Sequence, residues 1–158
     1  MGNFHCRRRD SGHSLLEFAL LAPALLLLLT GVVEIGRVIF YTVEVSNAAT
    51  AAAQFAAQNT ITAANNALIS STAQLDANVP GMTVASTSGC TCDEGGGTSC
   101  TYPIPGPNNC ANFSCPNNGQ IVECVQVVTN ASITPLFHFP GLPASYQANG
   151  RAVMRVRR

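Results

Sequence analysis

A lone carboxylate interrupts the apolar N-terminal region of this chain. Glu17 lies in a run that is otherwise purely apolar over residues 15–29. A charged side chain within a membrane span is costly, so it needs a compensating role. Gly12 precedes Glu17 by five positions, and three arginines at positions 7–9 precede the glycine. A basic leader, a glycine, a glutamate and a long apolar run together indicate a signal for processing and assembly.

The apolar run is long enough to cross a bilayer. Residues 15–33 form a stretch of 19 residues with one charge. As a helix they would span about 28 Å, close to the roughly 30 Å of a hydrocarbon core. The arginines at 7–9 favour a cytoplasmic N-terminus, and no arginine or lysine follows until Arg37. We therefore expect a single pass with the N-terminus in the cytoplasm and the C-terminus outside it.

Three interpretations of this segment compete. A Sec signal peptide would be cleaved at a small-residue site near residues 48–53, but its apolar region is usually only about 7–15 residues long. A plain single-pass anchor fits the length and leaves the position of Glu17 unexplained. A type IV prepilin-like signal explains both the length and the carboxylate. The last interpretation accounts for most of the observations.

The residues that carry the third interpretation resemble a known family. GHSLLEFALLAPALLLLLTGVVEIGR followed by VIFYTVEVSNAATAAAQFAA is similar to the TadE-like proteins of the tight-adherence (Tad/Flp) pilus system. The shared features are Glu17 with Phe18, Pro23, the step from Glu34 to Arg37, and an alanine-rich helix. The resemblance covers about residues 8–60 and leaves out the cysteine-rich centre.

This resemblance implies a processing site and an assembly residue. Gly12 would end the leader, His13 would begin the mature protein, and Glu17 would be its fifth residue. A prepilin peptidase would cut after Gly12, and glycine leaves that bond accessible because it lacks a Cβ. The Glu17 carboxylate would then pair with the new ammonium at His13 of a neighbouring subunit. The simpler alternative is that Glu17 reaches water at the headgroup boundary.

Three other residues of the apolar helix could affect its shape or form an ion pair. Pro23 should kink or loosen the helix because it removes one backbone hydrogen bond, and membrane helices tolerate proline. Glu34 and Arg37 are spaced i, i+3 and could pair on one helix face at the outer boundary. We interpret that pair as an ordinary interfacial ion pair.

A heptad-like seam continues beyond the membrane segment and predicts one long helix from about residue 14 to between residues 58 and 67. It can pack on the chain's own outer domain, or against neighbouring subunits of a filament. The seam consists of Val38, Tyr41, Val45, Ala48, Ala52 and Phe55.

Six of the seven cysteines follow the apolar helix, in or beside a turn-rich region over residues 77–119. An even set on one side of a membrane segment indicates disulfides in an oxidising compartment. Fifteen pairings are possible, and sequence does not choose among them. A zinc site is the alternative, but the paired C-x2–4-C spacing of structural zinc sites is missing. The candidates are Cys90, Cys92, Cys100, Cys110, Cys115 and Cys124.

Two strands are predicted after the cysteines. Residues 125–133 alternate in polarity, and residues 146–157 place apolar side chains on one face and arginines on the other. The predicted fold is α+β: a single transmembrane helix extended into a long pilin-like helix, then a small antiparallel sheet with a disulfide-rich loop. The expected parts are a leader (1–12), a transmembrane segment (13–41), an extended helix (42–68) and an extracytoplasmic cysteine-rich β domain (69–158).

No catalytic constellation is recognisable in the sequence. We therefore expect a non-enzymatic protein without cofactor or metal, and the zero net charge argues against a nucleic-acid partner. The resemblance implies a minor pilin or pseudopilin anchored in a bacterial inner membrane. Its partners would be other pilin subunits, the prepilin peptidase and the assembly platform. The rivals are a permanently anchored periplasmic binding or adhesion module and a secreted domain.

Overall fold

The computed structural model describes residues 13–93, 100, 110, 113–115, 119–137, 141 and 143–157. Along them run α1 (His13–Ala56), α2 (Thr60–Ala64), α3 (Asn66–Asp76), β1 (Thr83–Asp93), β2 (Gln120–Ile133) and β3 (Tyr146–Arg155). The chain divides into two compact units, Met1–Arg37 and Val38–Arg158. The predicted α+β class, with a long apolar helix and a small antiparallel sheet, is confirmed.

Helix α1 is continuous for 44 residues. Leucine and alanine dominate it, and both are strong helix formers. The helix ends at Ala56 with a tightened last turn, in which the amide of Gln58 bonds the carbonyl oxygen of Phe55.

Two asparagines divide the helical region after α1. Asn59 caps α2: its side chain accepts a hydrogen bond from the Thr62 amide at 2.8 Å, and its own amide donates to the Thr62 hydroxyl. Asn65 caps α3 by accepting from the Leu68 amide at 3.1 Å. Asparagine side chains compete with helix continuation and favour new starts. The extended helix predicted over residues 42–68 is therefore not a single helix.

The sheet has three antiparallel strands in the order β1-β2-β3. In its register Thr129 on β2 lies opposite Val84 on β1 and Gly150 on β3. Since residues directly opposite one another share a face, this row defines the face that turns toward α1. Burial alternates over residues 127–133 of the central strand β2, as its sequence predicts, whereas residues 124–127 are all buried, Gln126 included.

The core lies between this face of the sheet and the second half of α1. Val45, Ala48 and Ala52 of the predicted seam are fully buried there, and Val38 and Phe55 pack against the same cluster. The small alanine side chains allow the helix to approach the sheet closely. The seam therefore packs on the chain's own domain, which was one of its two interpretations. The sheet residues of this core are Val125, Val127, Ala131, Ile133 and Ala148.

Strand β3 separates its side chains as predicted. Ala148 is buried in the core, and Tyr146, Ala152 and Met154 pack against it. Val156 just beyond the strand is also buried there. The opposite face carries half-buried Val153 and the exposed residues Gln147, Asn149, Arg151 and Arg155, followed by Arg157.

Strand β1 was missed by the sequence analysis, which interpreted residues 77–119 as turns. Its sequence, TVASTSGCTCD, has a single β-branched apolar residue and therefore no clear alternation. The strand forms because β2 pairs with it along its whole length, from Thr83 opposite Asn130 to Asp93 opposite Gln120. A tertiary pairing thus overrides weak local propensity.

Candidate functional site

The first half of α1 presents an apolar surface on all of its sides. Leu20 is 79% exposed and Phe18 is 65% exposed, and most of the large side chains from Leu15 to Val33 are exposed to a similar degree. A helix that is apolar all round is suited to a membrane or to the interior of a helical assembly, and not to water. This surface is the main functional candidate of unit Met1–Arg37.

One described helix is long and apolar enough to cross a membrane, by length and composition alone. It runs over Ser14–Ala56, near the N-terminus, where an export signal would have the same properties. This agrees with membrane anchoring and leaves the orientation of the helix untested.

Glu17 lies on this surface, four residues after His13 and so on the same side of the helix. Its side chain is exposed. Within the described part of the chain it makes no hydrogen bond or ion pair, which leaves its carboxylate available to an outside partner. Gly12 and the arginines at positions 7–9 lie outside the described residues, as does the side chain of His13.

Two predictions concern residues within α1. The helix continues through Pro23, and the predicted kink there stays a prediction. Glu34 and Arg37 form an ion pair, with 2.9 Å between the carboxylate oxygen Oε1 and the guanidinium nitrogen Nη2. Glu34 is only 7% exposed, so its charge is compensated within a largely buried setting.

The six candidate cysteines form three disulfides. Cys90 bonds Cys110, Cys92 bonds Cys115, and Cys100 bonds Cys124. Cys90 and Cys92 lie on β1 and Cys124 lies on β2, so the bridges tie the connection between these strands to the sheet. The disulfide prediction is confirmed, and the zinc alternative is wrong because these sulfurs are bonded to each other.

Among the described residues, no group of three His, Cys, Asp or Glu side chains is arranged to hold a metal ion. A shallow groove runs along the polar side of α1 and reaches the end of α3. It is lined by Glu44, Asn47, Thr50, Ala51, Gln54 and Asp76. The groove therefore holds two carboxylates, half-buried Glu44 and exposed Asp76, among amide and hydroxyl side chains.

The residues that hold α1 on the sheet were not predicted from the sequence. The hydroxyl of Thr129 donates a hydrogen bond to the carbonyl oxygen of Val45 at 2.7 Å. Gly150 lies against the same carbonyl group of Val45. A Cβ on Gly150 would collide with that carbonyl oxygen and with the Thr129 hydroxyl. The available signal was the isolated glycine inside an alternating strand, which indicates close approach of another backbone.

Comparison with known proteins finds a similarity in the region of α1. Residues 12–57 match the family model described as TadE-like protein. Over these residues the N-terminal helix is similar to that of TadE-like proteins. The match begins at Gly12 and ends one residue after α1, so it includes Glu17, Pro23 and the Glu34–Arg37 pair.

The TadE-like match covers less than a third of the chain and stops before the cysteine-rich region. No curated protein and no solved structure matches the chain. TadE-like proteins form a family of pilus components that is not known for enzymatic activity. The match therefore shows a resemblance to TadE-like proteins over α1 alone.

Proposed function

We propose that this chain is a non-catalytic TadE-like minor pilin or pseudopilin that acts in assembly of a Tad/Flp-type adhesive pilus. The observation that carries the proposal is the TadE-like match over residues 12–57, which falls on a helix with an apolar exposed surface and one carboxylate. Before processing, this helix would anchor the chain in a bacterial inner membrane. The N-terminus would be cytoplasmic and the outer domain periplasmic, where disulfides form.

Processing by a prepilin peptidase would occur between Gly12 and His13. It would leave a new ammonium group at His13, one helical turn before Glu17. Cleavage would also remove Cys6 and leave only the six cysteines that pair with one another. Support comes from the start of the family match at Gly12.

Glu17 would pair with the His13 ammonium of a neighbouring subunit. Each of these charges is costly alone in an apolar layer, and each compensates the other when they meet. Glu17 has no partner within the described residues, which fits a partner on another chain. Other pilin subunits and the inner-membrane assembly platform are the proposed partners of the exposed apolar surface.

Cleavage is tested by expressing the chain with a prepilin peptidase and measuring its intact mass and N-terminal sequence. We expect a mature chain that begins at His13 and an uncut chain when Gly12 is replaced by valine. A chain that begins near residue 50 would instead establish a Sec signal. A wild-type chain that remains uncut would favour a permanent anchor.

The role of Glu17 is tested separately with Glu17→Gln, which removes the charge and keeps the shape. We expect normal cleavage but at least a tenfold loss of the chain from sheared surface filaments, measured by quantitative immunoblot. Glu44→Gln, a substitution of the same type on the polar groove of α1, is the matched control and should leave incorporation unchanged. Normal incorporation of Glu17→Gln would contradict the pairing role.

A permanently anchored periplasmic binding or adhesion module is the second candidate. The observation that favours it is the connection between β1 and β2, which three disulfides hold to the sheet. Disulfides of this kind stabilise small extracytoplasmic domains that lack a large core. The uncut outcome of the cleavage experiment separates this candidate from the first.

A further inference from the structure

The order of the disulfides along the chain is unusual. Numbered from the first cysteine of the outer domain, the bonds join first to fourth, second to fifth and third to sixth. Six cysteines allow fifteen pairings. This is the only one of them in which every bond crosses both of the others. As a result, no bond joins two cysteines that are neighbours in sequence order.

This pairing is disfavoured when disulfides first form in an unfolded chain. The native bonds close separations of 20, 23 and 24 residues. Neighbouring cysteines after Cys92 are separated by only 5 to 10 residues. Because loop closure becomes less probable as the 3/2 power of length, each native loop closes roughly three to ten times less often than those short loops. Non-native bonds between neighbours therefore form first.

A second ambiguity arises on β1. Cys90 and Cys92 are separated by Thr91 alone and lie on the same face of the strand, since side chains alternate along it. Their native partners, Cys110 and Cys115, are also close in sequence. Exchange of these two partners would produce a non-native pairing that differs from the native one by a single swap. Such a species cannot be repaired by further oxidation, because all six thiols of the outer domain are already bonded.

We propose that this chain is a substrate of a thiol–disulfide isomerase in the compartment that receives its outer domain. The partner is identified by its chemistry: an enzyme with a reactive thiolate in a dithiol site and a surface that accepts unfolded chain. The inference depends on the proposed function only for export of the outer domain, and is independent of the pilus role.

The chemistry has two parts. Oxidation of six thiols to three disulfides removes six electrons and six protons, which three molecules of glutathione disulfide, or an equivalent disulfide oxidant, accept. Isomerisation is electron-neutral. The isomerase thiolate attacks one sulfur of a non-native bond, the S–S bond breaks, and a mixed disulfide forms with release of a chain thiolate. That thiolate attacks a second disulfide, and a later exchange releases the isomerase thiolate.

The test is oxidative refolding of the reduced full-length chain in detergent micelles with a defined mixture of reduced and oxidised glutathione. Samples are quenched with acid, alkylated and mapped by tandem mass spectrometry, because digestion alone does not cut between Cys90 and Cys92. We expect a catalytic amount of a dithiol isomerase to accelerate the native pairing at least fivefold. A smaller acceleration would overturn the proposal.

The matched control can form only one disulfide. It keeps Cys90 and Cys110 and carries serine at the other five cysteine positions, Cys6, Cys92, Cys100, Cys115 and Cys124. No mispairing is possible in it, so the isomerase should not change the rate at which its thiols disappear. An equal acceleration of the control would show general catalysis of oxidation and would also contradict the proposal.

If the chain aggregates during refolding in vitro, a measurement in cells tests the same proposal. An isomerase whose second active-site cysteine is replaced by alanine loses its own thiol for resolving a mixed disulfide, so its adduct with the wild-type chain should accumulate as a reducible band. Absence of the adduct would count against the proposal. The intact mass of the same sample after reduction reports cleavage at Gly12, so a failure of the proposed processing and a failure of this inference are distinguishable.

Discussion

Thr129 joins the centre of the sheet to α1 through a hydrogen bond to the carbonyl oxygen of Val45, 2.7 Å from its hydroxyl. Both residues are fully buried. Gly150 lies directly opposite Thr129 in the β2–β3 register and contacts the same turn of the helix. These three residues set how closely helix and sheet approach in unit Val38–Arg158.

Gly150→Ala should destabilise this unit by about 1–3 kcal/mol, the usual cost of overpacking. A Cβ at this position would meet the Val45 carbonyl oxygen, the Thr129 hydroxyl, and the Ser46 Cα at 2.8 Å. Two of these atoms are backbone and cannot rotate away. The free energy of unfolding is measured by urea titration of the detergent-solubilised chain with tyrosine fluorescence. Gly36→Ala is the control, because nothing lies within 4 Å of a Cβ there. An unchanged midpoint for Gly150→Ala would show that helix and sheet can separate freely.

Thr129→Val tests the hydrogen bond itself while preserving the shape of the side chain. Loss of a buried intramolecular hydrogen bond should lower the free energy of unfolding by about 0.5–1.5 kcal/mol. Thr87→Val, on the exposed face of β1, is the matched control and should stay within about 0.5 kcal/mol of wild type. Equal effects of the two substitutions would mean that the Val45 contact contributes nothing specific.

Asn59→Ala should destabilise α2 by about 1 kcal/mol, because it removes a capping side chain that accepts from the Thr62 amide. Hydrogen exchange at the amides of residues 60–64 reports this locally and should become faster. Gln58→Ala removes an exposed neighbouring amide side chain without a capping role and should leave the exchange unchanged. Unchanged exchange in Asn59→Ala would show that the capping box does not hold this turn.

Removal of the Cys100–Cys124 bridge by alanine at both positions should cost about 3 kcal/mol, as expected for closing a loop of this length. The bond spans 24 residues, and Cys124 is fully buried. Urea titration under non-reducing conditions provides the measurement. Cys6→Ala is the control and should have no effect, because the six outer cysteines pair among themselves. A double variant as stable as wild type would indicate that the other two bridges suffice.

Local patterns in the sequence predicted the parts of this protein that depend on neighbouring residues. The exposed apolar helix follows from its long apolar run. The Glu34–Arg37 pair at i, i+3 and the seam of Val45, Ala48 and Ala52 follow from helical periodicity. The alternation of β2 and β3 follows in the same way from a period of two. Each signal lies within one element, so it is visible before folding.

Only the tertiary structure decided the features that join distant parts of the chain. Strand β1 has little pattern of its own and forms because β2 pairs with it. The crossed disulfides and the Thr129–Val45 contact connect residues 20 to 84 positions apart, and no local propensity specifies such partners. The sequence by itself determined which helix is apolar on all sides and which residues supply thiols. The packing of α1 on the sheet decided how these elements come together. The specificity of that packing arises from close contact between surfaces that exist only after folding.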